Sequence, residues 1–177
     1  MSQPRESHPR AVAAFDYGGA IARAITRLKY GRRPDLARPL GDLLWRALRP
    51  HAGTLQGAIV VPVPLHPTRL AERGFNQSAL IAHRVARGLD LPLLPLALAR
   101  VRDTRQQAAL DRAQRSANVS DAFRVRQPAR VSRKAVLLID DVRTTGATID
   151  ACTRALMGGG ARWVGHAVVA GVAADDT

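Results

Sequence analysis

The chain has 177 residues, 46% of them hydrophobic and 23% charged, with 27 Lys and Arg against 14 Asp and Glu for a formal charge of +13. That length suits one domain able to bury about 70% of its unfolded surface, and no apolar run approaches the roughly 18 residues of a membrane span, so disordered, fibrous and membrane-inserted classes are excluded. A lone cysteine, Cys152, excludes a disulfide framework or a cysteine-cluster zinc site, residues 1–10 hold no apolar signal core, and the expectation is a soluble cytoplasmic protein whose field draws nucleic acid or phosphorylated small molecules.

Residues 1–14, with Pro4 and Pro9 and no periodicity, read as a flexible tail, and residues 15–177 as the domain. Ile21, Ile25 and Leu28 recur at helical spacing, which predicts a helix from Gly19 to Tyr30, ended by Gly31 and Pro34. The stripe Leu40, Leu43, Leu44 and Leu48 predicts a second helix over residues 36–48. The β-branched run 58–63 reads as a buried strand, 64–74 as loop, 75–87 as helix and 93–99 as another strand. Residues 100–121 are polar and poor in large apolar side chains, so an exposed or mobile segment is expected there, followed by a short strand at 122–125. Val136 to Ile139 meets the same strand criterion as 58–63; residues 147–157 read as a helix stopped by Gly158-Gly159-Gly160, and 163–172 as the final strand. Alternating strands and helices predict an α/β fold with a largely parallel twisted sheet, whose ligand sits beyond the carboxyl ends of the strands.

The most informative stretch runs from Val136 to Ile149. A buried strand ends in Asp140-Asp141, and a small-residue turn, Thr144-Thr145-Gly146-Ala147-Thr148, opens a helix. Backbone N–H groups at a helix N-terminus form an anion site, and Gly146 with the threonine hydroxyls would complete a phosphate cradle. Two adjacent carboxylates can accept hydrogen bonds from a diol or anchor hydrated Mg2+. Cradle plus diol acceptor describes a site for a ribose 5-phosphate; the plainer alternative is an acidic helix cap followed by a turn. Neither a P-loop nor a dinucleotide glycine pattern is present.

This stretch resembles the phosphoribosyl-pyrophosphate motif of the type I phosphoribosyltransferases. Three segments together resemble the ComF family of that superfamily, which is associated with bacterial DNA uptake. They are the motif itself, the run from Val61 to Gln77, and the run from Arg100 and Arg102 through Thr104, Gln107, Leu110, Arg115 and Asn118 to Ala122-Phe123. Tyr17-Gly18 and Leu28-Lys29-Tyr30 also fit, so the resemblance spans Phe15 to Val172. It implies a type I phosphoribosyltransferase fold and an Mg2+-dependent enzyme. Such an enzyme binds 5-phosphoribosyl 1-pyrophosphate and transfers phosphoribosyl to an acceptor, with release of pyrophosphate.

On that resemblance Asp140 and Asp141 are the catalytic and Mg2+-holding pair, and Thr144, Thr145, Gly146, Ala147 and Thr148 the 5′-phosphate loop. Arg69, Arg73 and Gly74 belong to the pyrophosphate loop. Arg100, Arg102 and Arg115 belong to a flexible hood, residues 100–121, that closes over the reaction centre and excludes water. Arg100 to Arg133 holds nine arginines against three aspartates. The rival reading of this charge is a non-catalytic competence factor that binds single-stranded DNA, although only Phe123 is near to offer a stacking face. Thr144 stands where the 6-oxopurine enzymes carry an Asp, which argues against hypoxanthine or guanine as acceptor. Relatives of this type are often homodimers.

Some residues stay open or bland. Asn76 and Gln77 either donate to the ligand or cap the following helix, and Arg143 either contacts ligand or projects outward. His66 reads as loop filler, Cys152 as a small buried residue, and Trp45 and Trp163 as core or interface. Many ComF relatives carry an N-terminal cysteine-rich zinc module; the chain has none, so zinc is not expected. Asp121 departs from the glycine usual before Ala122-Phe123.

Overall fold

A computed structural model describes residues 9–102 and 122–172. Four parallel strands form the main sheet in the order β1-β6-β5-β2, where β1 is Ala11–Asp16, β2 Ile59–Pro62, β5 Ala135–Arg143 and β6 Trp163–Gly171. Between the strands lie α1 (Gly19–Tyr30), α2 (Ala37–Leu48), α3 (Pro67–Arg73), α4 (Gln77–Leu89), α5 (Pro128–Val131) and α6 (Ala147–Gly158). A separate antiparallel ribbon pairs β3 (Leu98–Arg100) with β4 (Phe123–Val125), and Val101 N–H donates to Ala122 at 2.8 Å.

Both faces of the sheet are covered, which is why β2 and the start of β5 read as unbroken apolar runs. Side chains alternate along β5. Leu137 and Ile139 pack with Ile25 and Leu28 of α1, Leu44 of α2 and Ile81 of α4, whereas Val136 and Leu138 pack with Ile149, Cys152 and Leu156 of α6. Helices α2 and α4 approach closely where Gly88 faces Trp45, whose Nε1–H donates to the Gly88 carbonyl at 2.7 Å. Trp45 therefore packs against the core.

Several expectations change. Ala11–Asp16, part of it inside the predicted tail, is an edge strand hydrogen-bonded to β6. Its alanines and one covered face leave no strong apolar run to read. Residues 64–74 are only in part loop: Pro67 occupies the first turn of α3, where its missing N–H costs nothing. The strand expected at 93–99 divides into a single bridge from Leu93 to Val60 and the short β3. Strand β5 continues four residues past Ile139, so the acid pair lies within the sheet and not in the loop after it. Residues 1–8, Arg115 and most of the predicted hood lie outside the described residues.

Candidate functional site

The site is assembled on the carboxyl end of β5, one of the two strands flanked on both sides by parallel partners. Asp140 and Asp141 are 8% and 2% exposed. Asp140 Oδ1 accepts from the Ser78 hydroxyl at 2.7 Å and from the Asp141 N–H at 2.9 Å. Asp141 Oδ1 accepts from the Gln77 amide at 3.3 Å, and its Oδ2, with no hydrogen bond among the described residues, forms an ion pair with Lys29 Nζ at 2.5 Å. Burial, and then the neighbouring Asp141 charge, push the Asp140 carboxyl well above the usual range; the Ser78 hydrogen bond and the Lys29 charge pull it partly back.

Above this floor opens a cleft of about 320 Å3, at the small end of ligand pockets. Arg69 and Arg73 of α3, Lys29 and Tyr30 of α1 and Arg100 of β3 all line it. Arg73 donates to Gln77 Oε1 and stacks its guanidinium 5.4 Å from the Tyr30 ring centroid. An arginine can only donate and a carboxylate only accept, so these two partners fix which way the Gln77 amide faces. Arg69 pairs with Glu72 at 3.3 Å, an exposed contact worth little against a phosphate. Arg100 lies 5.6 Å from the Phe123 ring centroid.

Thr144 and Thr148 line the same cleft and also a smaller adjoining cavity of about 40 Å3, shared with Thr145, Gly146 and Ala147. Gly146 adopts φ 82°, a left-handed conformation that favours glycine, and begins the twelve-residue α6. The Ala147 N–H reaches Thr145 Oγ1 only at 3.5 Å, the long limit of a hydrogen bond, so it stays available to a better acceptor.

The structure thus brings together Asp140, Asp141, Arg69, Arg73, Arg100 and the 144–148 turn. It does not bring Gly74 or Arg102 to the cleft lining. Gly74 caps α3 at φ 81°, and its N–H donates to the Leu70 carbonyl at 2.8 Å. Arg102 is exposed, and its carbonyl accepts from Arg100 at 3.3 Å. Asn76 is the helix cap, accepting from Ser78 N–H at 3.0 Å, while Gln77 turns inward to Asp141. Sequence reasoning gave no role to Lys29 or Ser78. Their signal is faint: Lys29 is one of two lysines amid arginines, and Ser78 opens an otherwise amphipathic helix.

The donor set suits a hard cation. Among the described residues no three His, Cys, Asp or Glu side chains gather into a ready cage. Mg2+ instead takes one or two carboxylates and completes its shell with water and substrate phosphate, and Asp140 and Asp141 are the two carboxylates it would use.

A parallel sheet with buried acids at the carboxyl end of a central strand, followed by a threonine-glycine turn into a helix, defines a phosphoribosyltransferase-type α/β domain. The phosphoribosyl transferase domain family matches residues 76–176. The chain is 34% identical over 156 residues to DNA utilization protein YhgH of Escherichia coli (strain K12), covering 86% of this chain and 67% of that protein. It is 33% identical over 136 residues to Competence protein F of Haemophilus influenzae, covering 75% of this chain and 59% of that one. The chain belongs to the phosphoribosyl transferase domain family and, within it, to the ComF group. Among solved structures, the glutamine phosphoribosylpyrophosphate amidotransferase of B. subtilis complexed with ADP and GMP superposes with a TM-score of 0.55 at 18% identity, over 93% of this chain and 32% of that one. That likeness concerns the fold alone.

Proposed function

We propose that the chain binds 5-phosphoribosyl 1-pyrophosphate with Mg2+ and transfers phosphoribosyl to an acceptor, releasing pyrophosphate. The observation that carries this reading is the buried Asp140-Asp141 pair at the floor of a cleft rimmed by Arg69, Arg73 and Arg100, with Thr144 and Thr148 on the same cleft. On this reading the ribose hydroxyls donate to the two carboxylates. The 5′-phosphate accepts from the backbone and hydroxyl groups of residues 144–148, and the arginines face the pyrophosphate. Asp140 and Asp141 would hold Mg2+, which would neutralise phosphate charge there.

The chain's own contribution is placement and electrostatics. As the bond from the anomeric carbon to pyrophosphate breaks, positive charge grows on the ribose ring and negative charge on the departing oxygens. The buried carboxylates face the first and the arginines the second. A cytoplasmic location and a homodimer belong to the same proposal. Its test is pyrophosphate release from the 5-phosphoribosyl donor over a panel of acceptors. Release stimulated by one acceptor class supports transfer; a panel with no release, even without acceptor, contradicts it.

A second reading has its own support. Arg23 and Arg27 stand exposed one helical turn apart on α1, which ends at the cleft with Lys29. Such a row suits a nucleic-acid backbone. The curated relatives are named for DNA utilization and competence.

A further inference from the structure

Helix α1 delivers an ammonium into the acid pair. Lys29 Nζ lies 2.5 Å from Asp141 Oδ2, with the two side chains 23% and 3% exposed. The end of the helix that carries it is pinned, because Leu28 is fully buried and Tyr30 stacks with Arg73. Arg73 donates to Gln77, and Gln77 donates to Asp141. Four elements thereby close one circuit, Lys29–Asp141–Gln77–Arg73–Tyr30. Within it Asp141 Oδ1 has the Gln77 amide, and among the described residues the partner at Oδ2 is the Lys29 ammonium. A carboxylate this buried is costly to leave without a cationic partner, so the place at Oδ2 is one that some cation fills.

We propose that Lys29 is a positioning residue: the resident counter-cation of Asp141, which a divalent cation must displace to reach Oδ2. Lysine suits the task better than arginine. Its ammonium is a compact point charge on a flexible four-carbon stem, so it can leave the carboxylate without tearing apart a planar forked contact. The space to receive it is adjacent, a cavity of about 160 Å3 lined by Lys29 itself with Tyr30, Arg32, Arg69, Glu72 and Arg73. Once displaced there, the ammonium joins the arginines of the rim. Arrival of a metal at the floor and growth of positive charge at the rim become one event. This goes beyond the phosphoribosyl reading, since it concerns what stands on the acid pair between ligands and is tested with a metal alone.

The experiment measures Mn2+ binding, by the loss of the free-ion electron spin resonance signal, in mildly alkaline buffer. Lys29→Met keeps the length of the stem and removes the charge. It is expected to bind Mn2+ about tenfold more tightly than the wild-type chain, the lower end of what one adjacent opposite charge does to a carboxylate. That gain should vanish in Lys29→Met/Asp141→Asn. Equal or weaker Mn2+ binding by Lys29→Met overturns the proposal. Should Lys29→Met fail to fold, the wild-type chain decides. Lys29 and the exposed Lys134 are its only lysines, so amine acetylation read by mass spectrometry has an internal reference. Mn2+ is expected to raise acetylation of Lys29 several-fold and leave Lys134 unchanged; an unchanged Lys29 rate overturns the proposal. Phosphoribosyl pyrophosphate is absent from both measurements, so a failure to bind that ligand is a separate result.

Discussion

Asp140 is the residue on which the electrostatics of the site turn. Burial and the Asp141 charge raise its carboxyl from 3.8 to about 8. The folded state therefore holds this proton more tightly than the unfolded chain does. Its contribution to stability is complete below the ordinary aspartate range and is lost as the pH climbs toward the raised value, with a slope of at most about 1.4 kcal/mol per pH unit. Urea midpoints of the ligand-free protein are expected to fall over that interval, and Asp140→Asn to show a flatter profile. An unchanged profile in the variant would place the titration elsewhere. Ser78 is the side-chain donor that Asp140 has at 2.7 Å. Ser78→Ala is expected to destabilise by about 1–3 kcal/mol in the same measurement, the cost of leaving a buried acceptor short of a donor.

At the scale of elements, the site depends on how α2 and α4 seat against each other, because α4 carries Gln77 and Ser78 to the acid pair. Gly88 sits against the Trp45 indole so closely that a Cβ there would overlap the ring. Gly88→Ala is expected to cost about 1–3 kcal/mol by forcing the indole to shift, seen as a lowered Tm and altered tryptophan fluorescence. An Ala variant with wild-type Tm would show that this contact is loose. The same elements show what a sequence discloses. Strand β2 and the first half of β5 are legible because both of their faces are buried. The 144–148 turn is legible because a glycine and three threonines at a strand-to-helix junction have few other uses. Strand β1 is not, since an edge strand of small residues carries no contrast. Helix α3 hides behind the prolines that start it. The partnership of Lys29 with Asp141 spans most of the chain and leaves no local pattern, and neither does the inward turn of Gln77.

Over the whole molecule the +13 charge includes two separate groups of arginines. Arg69, Arg73 and Arg100 gather at the cleft, where the proposed triply phosphorylated ligand would meet opposing charge. Arg23 and Arg27 lie on the outer face of α1, away from that need. If they track single-stranded DNA, affinity for an oligonucleotide falls with salt, and Arg23→Ala/Arg27→Ala reduces the slope of log affinity against log salt by about 1.4. An unchanged slope would remove α1 from the DNA path. The proposed phosphoribosyl site rests on Asp140 and Asp141. It is tested most directly by calorimetric titration of the chain with 5-phosphoribosyl 1-pyrophosphate, with and without Mg2+, beside Asp140→Ala/Asp141→Ala. Mg2+-dependent binding by the wild-type chain, lost in a double variant that still melts cooperatively, is the predicted result; no binding by the wild type, or equal binding by both, would contradict it.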